Sequence, residues 1–274
     1  MLSEFSVQKW FLQVYWQNDK KPILTTKGVS DLITGKTLVR WMVSVLLIFC
    51  LAPRCARAHP HSFVECSVAF VMDQKGLAGF RQQWVLDEMT TVAVLDAIGR
   101  HHGGALTSRE REEVRNLSAK SLKAFHYFTS VRINGADFPV NAVADFSAEL
   151  KDDKLIYEFL VPCAVPAVPG KPQQVEMAVY DESFYSYVNY ATDDGCGIDP
   201  SKDKLFANPQ APARPSDFKR FAKAVGIRKY DGPIHITGDE GHFKITASIK
   251  DAPEMAYFYN QIIPQAFTIE FEPR

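Results

Sequence analysis

The segment His59-Pro60-His61 carries the residues best suited to chemistry in this chain. If the chain is cleaved after Ala58, His59 presents a free α-amine and an imidazole on one residue, and His61 adds a second imidazole. Together with carboxylates, these nitrogens suit Zn²⁺, Ni²⁺, Co²⁺ or Cu²⁺ better than Mg²⁺. Pro60 has no amide proton to lose, so a square-planar copper site that uses the second backbone amide is blocked. A metal site here would need further ligands from elsewhere in the chain.

Glu65 is the nearest acidic residue that could join these nitrogens. On an extended strand His61, Phe63 and Glu65 share one face, whereas Cys66 points to the other. The alternative is that His59 and His61 form a frayed, solvated terminus that binds nothing.

The residues before His59 have the organisation of an export signal. The uncharged apolar run WMVSVLLIFCLA over 41–52 follows basic residues and leads into an Ala-x-Ala cleavage pattern that ends at Ala58. This run is shorter than the roughly 20 residues that a permanent membrane helix needs. We therefore expect residues 1–58 to be an N-terminal extension with a signal peptide and the mature protein to be periplasmic. An uncleaved signal anchor is the alternative.

Two further features of residues 1–58 concern the start of translation and lipid attachment. The stretch before the apolar run is long for a signal peptide, so translation could begin instead near Leu38 or Val39. Neither Cys50 nor Cys55 follows a small residue, as a lipoprotein cysteine would, so we expect no lipid anchor.

Charge and cysteine content narrow the function classes. The chain after Ala58 has 23 Lys/Arg and 29 Asp/Glu, a net charge of −6, which argues against a nucleic-acid partner. Cys66, Cys163 and Cys196 remain after cleavage, enough for one disulfide and one free thiol in an oxidising compartment. Their pairing is open.

Periodicity predicts a mainly β fold with a helical insertion. An antiparallel hairpin is predicted by the β-branched and aromatic residues over 61–72, the turn residues at 73–76 and the run LAGFRQQWVL that follows them. Helical spacing over Met89–Ile98 and a capping box at Thr107–Glu110 predict a helix–loop–helix insertion at 88–126.

The remaining runs complete this α+β prediction. Asn134-Gly135 is a type I′ hairpin signal, and several short strand-like runs follow it up to residue 190. We expect residues 59–195 to form an immunoglobulin-like antiparallel β-sandwich. Residues 196–274 would be a loop followed by a small α+β extension, with a short helix from Ser216 to Gly226. This tail either completes the same sandwich or forms an appendage to it.

Several motifs resemble the domain-of-unknown-function 1007 family, described as a periplasmic component of an uncharacterised, metal-linked transport system. They are HPHSFV from His59, WVLDEM from Trp84, FHYFTSVRINGADF from Phe125 and VYDESFYSYVNY from Val179. The resemblance implies an inner-membrane transporter of nickel, cobalt or zinc as partner. It also makes Asp87, Glu88 and Asp181 acidic candidates for a metal site, because it places them in family motifs beside aromatic residues. For Glu88 the alternative role is to stabilise the positive end of a helix.

In that family the insertion often carries a calcium-loop pattern, which here falls on residues 99–110. Gly104, Leu106 and Glu110 keep the register, whereas Gly99, His101 and Gly103 stand where side-chain oxygens are needed. Ca²⁺ requires six to eight oxygens, so we expect no calcium. His101 and His102 are secondary candidates for a softer ion, and a solvated pair of histidines is the alternative.

The sequence favours a non-enzymatic role. It lacks the G-x-S-x-G, H-E-x-x-H and C-x-x-C motifs. We therefore predict an accessory or metal-binding component of a transition-metal transport system. The alternatives are a structural or interaction module that binds no metal and a copper histidine-brace enzyme, which would need a third imidazole near His59.

Overall fold

The computed structural model of the chain describes residues 62–191, 218–225 and 227–274. Its strands are β1 Ser62–Asp73, β2 Gly76–Leu86, β3 Thr129–Ile133, β4 Ala136–Phe138, β5 Ala144–Lys151, β6 Lys154–Pro166, β7 Gln173–Val179, β8 Ser186–Tyr190, β9 His235–Gly238, β10 Phe243–Asp251 and β11 Gln265–Pro273. Its α-helices are α1 Glu88–Ala97, α2 Ser108–Lys123 and α3 Phe218–Val225. The prediction of a mainly β protein with a helix–loop–helix insertion is confirmed.

The strands form two sheets, and the largest hydrophobic cluster of the described residues contains side chains from both. The first has the order β5-β6-β2-β1-β8, with β9 also pairing with β1, and the second has the order β10-β11-β7-β3-β4. Inward residues of β1, such as Val64, Phe70 and Met72, share the core with Val175 of β7 and Ile269 of β11. Buried and half-buried residues alternate along β1, as expected for a strand with one face toward the core.

Both predicted hairpins are confirmed. β1 and β2 pair antiparallel through the turn after Asp73. In the β3–β4 hairpin the turn residues Asn134 and Gly135 have φ of 51° and 81°. Positive φ at both central positions is what a type I′ turn requires, and Asn and Gly reach it at low cost.

The antiparallel expectation is wrong for two strand pairs. β8 runs parallel to β1 over 62–66, and β9 runs parallel to β1 over 69–72. Alternation in the sequence reports that a strand is half-buried, but it carries no information on the direction of its neighbour. β8 follows β7 of the opposite sheet, so the crossing between sheets sets its direction.

The tail contributes strands to both sheets. β11 pairs with β7 as well as β10, and β9 extends the edge of β1 beyond β8. The described strands of the tail therefore belong to both sheets. The predicted helix near the tail's start is present as α3, while its predicted cap Ser216 lies outside the described residues.

Candidate functional site at the start of strand β1

Asp87 ties the first helix of the insertion to the first strand. It stands between Leu86, the end of β2, and Glu88, the start of α1, and it is the N-cap of α1. Its Oδ1 accepts the backbone N–H of Thr90 at 2.8 Å, and its Oδ2 accepts the backbone N–H of Phe63 at 2.5 Å. The Thr90 hydroxyl also lies 2.9 Å from Oδ2. This carboxylate fixes the helix start, as an N-cap aspartate does.

Asp181 organises the loop that enters β8. Its side chain is 3% exposed and lies just after β7. Oδ1 accepts the backbone N–H and the hydroxyl of Ser183, at 2.9 and 2.6 Å, and Oδ2 accepts the backbone N–H of Ser186 at 2.8 Å. Burial raises the pKa of the Asp181 carboxyl above its usual value, while these hydrogen bonds oppose the rise.

Ser62 lies between the two acid-bearing segments. Its Oγ lies within hydrogen-bond distance of the Thr90 hydroxyl, at 2.9 Å, and its backbone N–H donates to the carbonyl of Tyr185 at 3.3 Å. In the parallel β1–β8 pair, Ser62 stands opposite Ser186. The structure thus brings the predicted acids of two distant motifs to the residue that follows His61 in the sequence.

A cavity of about 60 Å³ opens beside this polar cluster. Its walls are mostly apolar and come from β1, β2, both helices of the insertion and the residues just before β3. Its polar residues next to the cluster are Ser62, Thr90, Asp181, Tyr185 and Ser186. The volume has room for roughly four water molecules. No histidine lines this cavity within the described residues.

One wall of the cavity is a left-handed turn. The three residues His126–Phe128 all have φ between 51° and 53°. This conformation is rare outside glycine and must be held by its surroundings. The ring of Phe128 stacks on that of Trp84, with centroids 5.8 Å apart and planes at 8°.

A buried hydrogen-bond chain also holds this turn. The Thr129 hydroxyl donates to the carbonyl of Tyr127 at 2.8 Å and accepts the Gln82 side-chain amide at 2.9 Å. Gln82 in turn accepts the indole N–H of Trp84 at 2.9 Å. Gln82 is fully buried, so these partners satisfy an otherwise costly polar group.

Glu65 lies on the other face of β1. Phe63 and Glu65 are half-buried on the outer face, whereas Val64 and Cys66 point into the core, as alternation predicted. Burial raises the pKa of the Glu65 carboxyl, and the charge of Lys154 opposes this. Glu65 is therefore separated from the cavity by the sheet itself.

Glu88, His101 and His102 are exposed. Glu88 is the first residue of α1, consistent with the helix-stabilising alternative. Nδ1 of His101 lies 3.5 Å from Asp96, and Nε2 of His102 lies 3.0 Å from the Glu110 carboxylate. These histidines follow the far end of α1, about 15 Å from its start at the helical rise per residue.

His59 and His61 lie outside the described residues, so their part in a metal site stays a prediction. Across 62–191, 218–225 and 227–274, no group of three His, Cys, Asp or Glu side chains is arranged to hold a metal ion. In the same ranges no helix is long and apolar enough to cross a membrane. Cys66 and Cys163 are buried free thiols, and Cys196 lies outside these ranges.

The sequence reasoning missed the hydroxyl residues that complete this cluster. Thr90 and Ser183 are the partners of Asp87 and Asp181. Local signals were available. An Asp three residues before a backbone N–H donor in the first turn of a helix is typical of an N-cap. An Asp two residues before a Ser is typical of an Asx-turn. Ser62 carried no such signal, because its role depends on the pairing of β1 with β8.

The fold and this cluster define a two-sheet β protein with a helical insertion and a candidate site where its first strand begins. The chain belongs to the DUF1007 family of proteins of unknown function, whose pattern matches residues 44–216. It is also 26% identical over 141 residues to an uncharacterized protein of Haemophilus influenzae. That match spans 49% of this chain and 64% of the relative.

Proposed function

We propose that the protein is a periplasmic accessory subunit that binds a transition metal for a membrane transporter of nickel, cobalt or zinc. The observation that carries the proposal is the position of Ser62 between the loops of Asp87 and Asp181. After cleavage at Ala58, the amine of His59 is three residues from Ser62, within about 10 Å by chain length alone. We propose that two imidazoles, an amine and two carboxylates meet at this end of the fold.

The carboxylate of Asp87 retains capacity for a cation. Its Oδ1 accepts one described hydrogen bond, and a carboxylate oxygen has two lone-pair sites. Asp181 accepts hydrogen bonds from Ser183, Tyr185 and Ser186, so it is the more fully occupied of the two carboxylates. Hydrogen-bond donors already fix the carboxylates of Asp87 and Asp181. These carboxylates therefore either complete the coordination of the metal or accept hydrogen bonds from the histidine ligands. Glu65 is on the face of β1 opposite the cavity, the face that strand alternation predicts for His61, so it stays a third candidate acid.

The ligand types favour zinc, nickel, cobalt or copper over calcium and magnesium. A carrier fits better than a copper enzyme, since a histidine brace needs a third imidazole and no described histidine lines the adjoining cavity. We further propose that the two sheets are arranged as an immunoglobulin-like sandwich, with loops at one end forming the site.

The first experiment measures metal affinity of the exported protein. Zn²⁺, Ni²⁺, Co²⁺ and Cu²⁺ are titrated calorimetrically into native protein, into protein with one alanine inserted before His59, and into His61→Ala. Loss of a direct ligand should weaken binding by at least about tenfold, as loss of even an outer partner costs 10–100-fold. His235→Ala is the matched control, because His235 is an exposed histidine on β9. Equal affinity in all four proteins refutes the N-terminal site.

The pH dependence supplies an independent check. Imidazole and amine must be deprotonated to bind metal, so affinity should fall as the pH drops through about 6.5. An affinity that stays constant between pH 5 and 8 excludes histidine ligands.

Export is tested by the intact mass of the protein purified from the periplasm. We expect a chain that begins at His59, because the Ala-x-Ala cleavage pattern ends at Ala58. A mass that includes residues 41–58 would contradict the leader assignment and the amine ligand with it.

A module that binds no metal is the second candidate. The apolar cavity favours it, because its walls contain no thiol or imidazole among the described residues. Protein from the periplasm that contains no transition metal and shows no affinity in the titration, while keeping its fold, would support this candidate instead.

A further inference from the structure

The loop between α1 and α2 has the length and two of the marker residues of a twelve-residue calcium loop. Residues 99–110 follow α1, and α2 begins at their tenth position, Ser108. The sixth residue, Gly104, has φ of 92°, and the twelfth is Glu110. A calcium loop of this type requires a glycine at the sixth position and a glutamate at the twelfth. Leu106, at the eighth position, is 4% exposed and anchors the loop to the core.

We propose that the guanidinium of Arg100 takes the place of the calcium ion in this loop. Its side chain is 3% exposed. Nε donates to Oε1 of Glu110 at 3.1 Å, and Nη2 donates to the carbonyl of Gly104 at 2.6 Å. One cation thus draws together the carboxylate at the end of the loop and a carbonyl at its middle. A calcium ion would also bind the glutamate at the twelfth position, together with the backbone carbonyl of the seventh residue, Ala105, which is next to Gly104.

The carboxylate of Glu110 is held in place and kept ionised by its neighbours. Its Oε2 accepts the backbone N–H of Thr107 at 2.7 Å, as part of the capping box of α2. That hydrogen bond, and then the charges of His102 and Arg100, lower the pKa of Glu110 below its ordinary value. A permanently charged guanidinium is therefore matched by an ionised acid, which is the condition for burying an arginine.

This pairing bears on the cavity beside Ser62. α1 contributes Thr90 and Val94 to its walls, and α2 contributes Ser118, Ser121 and Leu122. Because Arg100 fixes the loop that joins the two helices, it fixes the angle between two walls of the cavity. The arrangement holds at any calcium concentration, whereas a calcium loop would link it to the ion.

The experiment compares Arg100→Gln with a matched control, Arg109→Gln. Arg109 also pairs with a glutamate, but its side chain is 88% exposed. We expect Arg100→Gln to lower the melting temperature by about 10 °C, since it leaves Glu110 without its buried partner, and Arg109→Gln to change it by less than about 2 °C. Amide hydrogen exchange should accelerate over residues 99–110 in Arg100→Gln and stay unchanged in β1 and β2. Equal behaviour of the two variants overturns the proposal.

A second variant tests the substitution of one cation by another. Arg100→Gln is combined with Gly99→Asp, His101→Asp and Gly103→Asp, which supplies oxygens at the first, third and fifth positions. A Cβ at Gly99 or Gly103 meets no atom within 4 Å, so there is space for these side chains, and the φ of 71° at Gly99 is one that aspartate adopts only with some strain. We expect 1 mM Ca²⁺ to restore the melting temperature and slow exchange of this variant and to leave the native protein unchanged. No calcium response in the variant, or an equal response in the native protein, would contradict the assignment.

Discussion

At the start of β1 the carboxylates of Asp87 and Asp181 accept hydrogen bonds from backbone N–H groups and hydroxyls, whereas in the insert loop Glu110 is paired with the guanidinium of Arg100. Neutral donors hold a carboxylate in place without cancelling its charge. A guanidinium holds a carboxylate in place and also cancels its charge. The first region therefore keeps its attraction for a cation, and the second region already contains one.

This comparison predicts that Asp181 matters most for stability. Asp181→Ala removes the acceptor of two backbone N–H groups in a buried loop and should cost about 3 kcal/mol of unfolding free energy. Glu182→Ala is the control, because Glu182 is the exposed acid next to it. Urea denaturation measures both. A cost below about 1 kcal/mol for Asp181→Ala would show that the hydrogen bonds of this loop are dispensable.

Asp87→Ala is expected to cost about 1 kcal/mol, the typical value for the loss of an N-cap. It also removes the acceptor for the backbone N–H of Phe63, so its effect should exceed that of Glu88→Ala in the same helix turn. Thermal unfolding of the two variants makes the comparison. Equal destabilisation would mean that Asp87 contributes only its charge at the helix end.

The raised pKa of Asp181 predicts a pH dependence with a definite sign. Its folded-state pKa lies above the ordinary value of 3.8, so the folded protein binds more protons than the unfolded chain between the two values. Stability from this group is therefore lost as the pH rises from about 4 through the folded pKa. In Asp181→Asn that loss should disappear. Urea midpoints of both proteins between pH 4 and 7 measure it, and parallel curves would contradict the shift.

Glu88→Gln should have the smallest effect, below about 0.5 kcal/mol, because an exposed first-turn acid interacts only weakly with the helix dipole. Metal affinity should also be unchanged in this variant. If metal affinity is weakened in Glu88→Gln and unchanged in Asp87→Asn, the proposed metal ligand is Glu88 and not Asp87.

Much of the fold follows from local chemistry in the sequence. The β1–β2 hairpin, the type I′ turn at Asn134-Gly135 and the capping box at Thr107 depend on residues a few positions apart, and each is present. The insertion also forms where helical spacing predicted it. Such features need no knowledge of distant partners, which is why pattern alone predicts them.

The candidate site shows where sequence reasoning ends. The residue types of Asp87 and Asp181 were evident, but the contact of both motifs with Ser62 depends on β8 running parallel to β1. Glu65 shows the same limit in another way. Strand alternation correctly predicted which face of β1 carries Glu65, but it did not predict that the cavity lies on the opposite face of β1.

The sequence by itself determined the strand and helix segments, the turn types and which residues are candidate metal ligands, because these depend on side-chain chemistry over short spacings. Only the tertiary structure decided which of those residues meet, which carboxylates are held by neutral donors and that Arg100 fills the loop before α2. The physical reason is that burial and charge pairing depend on groups far apart in the chain, and their positions are set by how the two sheets pack around the core.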